Sequence, residues 1–91
     1  MNFNKQICIK NIYHLAKINN IRLGELETHC GVTIGTLSRL SKEKNTANPG
    51  IEFLVLAADM LNVSLESLVN TDMTKPAKTE TYILNFVNHP I

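Results

Sequence analysis

Apolar residues recur along this chain at helical spacing in short stretches, each bounded by polar or turn-forming residues. From Phe3 to Ile18, Cys8, Ile12, Leu15 and Ala16 follow the period of an amphipathic helix, and Asn19-Asn20 suits its end. Arg22 to Cys30 places Leu26 and Cys30 four residues apart and predicts a second helix. Gly31 then supplies a tight corner that a residue with a Cβ resists, and Val32 plugs the angle. Thr33 is expected to cap a third helix running to about Ser41. Leu37 and Leu40 face the second helix there, while Ile34, Gly35, Thr36, Ser38 and Arg39 lie more outward.

Downstream, Ser41 to Asn48 is polar, has no apolar period and reads as a loop. Asn48-Pro49 pairs a capping residue with the residue best tolerated at a first helical position. A fourth helix follows to about Leu61, with Leu54, Ala57, Ala58 and Leu61 as its inner stripe, and Ser64 caps a fifth through Leu68. After Asn70 the pattern lapses. Thr71 to Thr79 is polar with Pro76 inside it, a linker, and Tyr82, Ile83, Phe86 and Val87 then form one face of a short final helix ending before Pro90. A strand is the alternative there, because Thr81 to Val87 is rich in β-formers. The expected division is a domain over 1–70 and a linker with C-terminal extension over 71–91.

Two short helices joined by a three-residue turn are the grammar of a helix-turn-helix. From about Ile9 to Val69 the chain resembles the Cro and phage-repressor family, the xenobiotic-response-element type of DNA-binding regulator. The resemblance rests on Asn11 to Ala16 with Ile21, on the turn around Gly31, and on Pro49, Ile51, Leu54, Ala58, Leu61, Val63, Ser64 and Leu68. It implies an all-α, five-helix, lambda-repressor-like DNA-binding domain, here with a short C-terminal extension.

Composition narrows the class further. The chain has 91 residues, 44% apolar and 19% charged, enough for one core and no second. So short a chain buries a modest share of its surface, and a homodimer is expected. No apolar run approaches the roughly 20 residues that span a bilayer, and Met1 to Asn20 has no signal-peptide centre, so a cytoplasmic location without membrane contact is expected. Cys8 and Cys30 both fall on inward helix positions and read as reduced core residues. Net charge is only +1, but seven Lys and Arg against three Glu give residues 1–50 a net +4, whereas two against five give 51–91 a net −3. The basic half holds the turn and third helix, the polarity expected of a face that meets phosphates.

The resemblance implies that helix 33–41 lies in the major groove of double-stranded DNA while the second helix crosses the backbone. Base contacts then fall on Thr33, Ile34, Gly35 and Arg39. The fork of Arg39 suits guanine O6 and N7, a pairing worth about 1 to 3 kcal/mol of discrimination. Backbone contacts fall on Arg22, Thr36, Ser38, Lys42, Lys44 and Asn45. Two residues depart from the family pattern: Leu23 stands where many members carry glutamine, and Glu27 where they carry alanine. Glu27 is expected to point outward or to meet Arg22 or Lys17. His14, His29 and His89 are scattered, and neither a nucleophile setting nor a phosphate-binding glycine loop is present. No enzymatic role, metal, cofactor or small-molecule ligand is therefore expected. Two functions are carried forward: a sequence-specific transcriptional regulator, a repressor by its family likeness, and a protein-interaction module on the same fold, such as an antitoxin or anti-repressor adaptor.

Overall fold

A computed structural model describes residues 3–74 of the chain, an all-α arrangement of five helices with no strand among the described residues. In order these are α1 (Lys5–Ile18), α2 (Leu23–His29), α3 (Thr36–Leu40), α4 (Ile51–Met60) and α5 (Leu65–Asn70). The expected linker from Lys75 onward and the Tyr82 to Val87 face lie outside the described residues.

One core joins all five helices. Ile12 of α1, Leu26 of α2, Leu37 of α3, Phe53 and Ala57 of α4 and Leu68 of α5 are buried in a single cluster. Full burial of a side chain such as Leu or Ile contributes about 1.5 to 3 kcal/mol, so this cluster is the main source of cohesion. α1 packs along α5, which also meets α4, while α2 touches α1, α3 and α4. Ala57, with no measurable exposure, lets α4 approach its neighbours closely. α4 also leaves Ile51, Val55 and Leu56 at the surface.

Three of the helices end in the same way. After α1, Asn20 turns left-handed (φ 56°), and the amides of Asn20 and Ile21 bond back to the carbonyls of Lys17 and Ala16. After α2, Gly31 (φ 76°) and Val32 do the same to Thr28 and Glu27, and after α4, Asn62 (φ 59°) and Val63 to Asp59 and Ala58. This is the Schellman geometry, in which a residue tolerant of positive φ closes the last turn and the next side chain is apolar. Ile21, Val32 and Val63 are those apolar residues, and each packs against the core.

Several helix starts differ from the sequence pattern. α1 begins at Lys5, because the Asn4 side chain accepts from the Ile7 amide at 3.1 Å and caps it there. α4 begins at Ile51 after an extended Gly50, so Asn48 does not cap it and Pro49 is a buried residue of the preceding loop. Ser64 does cap α5, accepting from the Ser67 amide at 3.1 Å.

Asn11 is wholly buried on α1 and fully used. Its Nδ2 donates to the carbonyls of Leu68 (2.8 Å) and Thr71 (2.6 Å), and its Oδ1 accepts from the Met73 amide at 2.8 Å. One polar side chain thus ties α1 to the end of α5 and to Thr71 and Met73 beyond it. No described helix is long and apolar enough to cross a membrane.

Candidate nucleic-acid interface

α2, the Gly31 corner and α3 form the helix-turn-helix, but α3 is shorter than its pattern predicts. The expected helix from Thr33 to Ser41 is a turn over Thr33 to Thr36, closed by the Thr36 amide on the Thr33 carbonyl at 3.1 Å, followed by the five residues of α3. Gly35 occupies the N-cap with φ 97° and has no side chain to receive the first amides of the helix.

Glu27 fills that role from α2. Its Oε1 accepts from the Gly35 amide at 3.1 Å and its Oε2 from the Leu37 amide at 2.8 Å, and the residue is only 3% exposed. The expectation that Glu27 points outward or meets Arg22 or Lys17 is therefore corrected. Burial of a carboxylate is costly unless it is hydrogen-bonded, and two amide donors at a helix start satisfy it. Thr33 is not the cap. The carboxylate also turns the Gly35 and Leu37 amides inward, so the start of α3 presents neither amide to an outside anion.

The outer face is what remains. Arg39 is exposed, its Nη2 donates to Thr36 Oγ1 at 3.1 Å, and the guanidinium lies close to Gly35, where an added Cβ would meet Nη1 at 3.5 Å. Thr36 Oγ1 in turn donates to the Thr33 carbonyl. Ile34 is 68% exposed and sits against Gly24 of α2, beside an open depression bordered by Arg22, Glu25, Thr28 and His29. Thr33, Ser38, Lys42 and Lys44 are exposed, and Arg22 is exposed at the start of α2. With Glu27 turned inward, residues 28–42 present Arg39 and Lys42 and contain no acidic side chain.

Asn45 has a local task. Its Nδ2 donates to the Arg39 carbonyl at 2.9 Å, its Oδ1 accepts from the Ala47 amide at 2.8 Å, and its own carbonyl accepts from Lys5 Nζ at 2.6 Å. The loop after α3 is thereby held to both α3 and α1. Of the ten residues singled out from the sequence, Thr33, Ile34, Gly35, Arg39, Thr36 and Ser38 lie on the turn and α3, with Lys42, Lys44 and Asn45 just beyond and Arg22 at the N-cap of α2. Sequence reasoning missed Glu27 and Asn11 as organisers of this surface and of the chain's exit. The available signals were a glycine at the start of helix three, which leaves its amides to a group elsewhere, and an amide side chain among apolar positions of helix one.

Both thiols are free and buried. Burial pushes Cys8 up to about 11 and raises Cys30 as well.

The architecture is the helix-turn-helix fold of the repressor type. Among solved structures, a chain of the complex between the SinR protein and the SinI protein is similar, with a TM-score of 0.62 and 26% sequence identity, the match covering 89% of this chain and 79% of that one. No protein-family model matches the chain. No curated protein matches it either.

Proposed function

We propose that the protein is a sequence-specific DNA-binding regulator, a repressor, that reads the major groove with α3 and the turn before it. The supporting observation is the outer face of the helix-turn-helix: Arg39, Lys42 and the hydroxyls of Thr33 and Ser38 are exposed, Glu27 is turned inward onto the Gly35 and Leu37 amides, and the exposed carboxylates of Glu25 and Glu43 lie to either side, on α2 and beyond α3. In this reading Arg39 leaves Thr36 and places its fork on a guanine edge, Ile34 touches a thymine methyl, and Thr33 and Gly35 approach the base edges closely. Arg22, Thr36, Ser38, Lys42, Lys44 and Asn45 contact phosphates and fix the register. A homodimer in the cytoplasm spans two half-sites about 34 Å apart.

A second reading has its own support. The neighbouring fold comes from a complex of two proteins, and Ile34, a large apolar side chain, is 68% exposed. A protein-interaction module, such as an antitoxin or anti-repressor adaptor, would use that apolar residue against a partner. Duplex binding measured across a salt series separates the two. The first reading expects log K to fall linearly with log salt, by about 0.9 for each phosphate contact. A duplex affinity that is absent or indifferent to salt would favour the second.

A further inference from the structure

The residues after α5 do not leave the molecule freely. Asn11 holds the Thr71 carbonyl and the Met73 amide, and Lys10 Nζ lies 3.7 Å from Asp72 Oδ2, so the chain is turned back along α1. It arrives at Thr74, which itself lines a groove of about 430 Å³ between α1 and the corner that leads to α2. Tyr13, Ile21 and Leu23 give this groove apolar walls, and Lys10 and Lys17 border it.

We infer that the groove is the docking site of the chain's own C-terminal segment, with Tyr82, Ile83, Phe86 and Val87 against Tyr13, Ile21 and Leu23. Three observations select this occupant over a second copy. The described chain ends inside the groove, at Thr74, with 17 residues still to follow. Those residues hold an apolar cluster, Tyr82, Ile83, Phe86 and Val87, of the kind that suits the walls of Tyr13, Ile21 and Leu23. The reach is also sufficient: the residues between Thr74 and Tyr82 span up to roughly 25 Å when extended, whereas Lys10 to Lys17 covers about 10 Å of helix at 1.5 Å per residue. A short tether gives the attached segment an effective concentration on the order of millimolar, above that of a free second copy in dilute solution.

A spin label on the full chain tests this. Cys8 and Cys30 are buried with raised thiol pKa values, so a nitroxide reagent at neutral pH attaches to the introduced thiol of Asn88→Cys. The amide signals of Tyr13, Lys17 and Leu23 should lose most of their intensity, while those of Ile51, Val55 and Leu56 keep theirs. Adding Tyr13→Glu should restore the Lys17 and Leu23 signals with the rest of the spectrum unchanged. A sample mixing spin-labelled protein with isotope-labelled, spin-free protein should show no loss at Tyr13, Lys17 and Leu23. Loss centred on the α4 residues, loss at Tyr13, Lys17 and Leu23 in the mixed sample, or no localised loss would each overturn the proposal. The outcome is independent of DNA binding.

Discussion

Glu27 Oε2 accepts the backbone amide of Leu37 at 2.8 Å, so one helix of the helix-turn-helix caps the other with a buried carboxylate. Removing it in Glu27→Ala leaves the Gly35 and Leu37 amides without their acceptor, which should cost about 2 to 6 kcal/mol at roughly 1 to 3 per unsatisfied group. Glu27→Gln keeps one acceptor oxygen and turns an NH₂ toward the other amide, so it should fall between alanine and wild type. Thermal unfolding of the three proteins gives the order directly. Equal stabilities would show that the carboxylate is not the cap.

Gly31 and Gly35 carry positive φ, 76° and 97°. A Cβ meets nothing within 4 Å at Gly31 and only Arg39 Nη1 at 3.5 Å at Gly35, so the cost of substitution lies in the backbone and not in a clash. Alanine at either site should destabilise by about 1 to 2 kcal/mol, with asparagine milder because it tolerates the left-handed region. Denaturant midpoints should rank glycine above asparagine above alanine at both positions. A neutral Gly35→Ala would mean that the turn before α3 relaxes into helix.

Asn11 satisfies three backbone groups around the end of α5. Asn11→Leu has a similar volume but offers none of these bonds, and it strands the buried Leu68 carbonyl. A loss of about 2 to 4 kcal/mol is expected. The more specific readout is hydrogen exchange at the Met73 amide, which should be protected in the wild type and exchange freely in the variant. Equal exchange in both proteins would contradict the anchoring role.

The elements that local pattern alone decides were legible: five apolar stripes at helical spacing, Gly31 at the corner, and Ser64 as a cap. The start of α3 was not. Thr33 has the right side chain for an N-cap, but the carboxylate of Glu27, eight residues before Gly35, takes the Gly35 and Leu37 amides from the neighbouring helix. The same kind of long-range partner hid Asn11, whose three bonds reach residues 57 to 62 positions away. The surface assigned to DNA was readable as residues but not as geometry: nothing in the local spacing shows that Arg39 rests on Thr36, or that Asn45 closes its own loop.

The buried thiols set an alkaline limit. Burial holds the Cys8 thiol at about 11 in the folded chain against an ordinary value of 9.0, so between these values the unfolded chain has released a proton that the folded chain still holds. Stability from this group is therefore complete below pH 9 and declines as pH rises through 11. Melting temperature should fall over that window, and Cys8→Ala should flatten part of the fall. Both thiols should also react slowly with a disulfide reagent at pH 8 until the protein is denatured.

The central claim is that Arg39, on the outer face of α3, reads a base. Selection of bound sequences from a random duplex pool at moderate salt, run in parallel on the wild type and Arg39→Ala, tests it most directly. An enriched two-fold motif whose guanine preference at one position is lost or relaxed in the variant is the predicted result. Enrichment of the same motif by both proteins would remove Arg39 from base reading, and no enrichment by either would contradict the DNA-binding account itself.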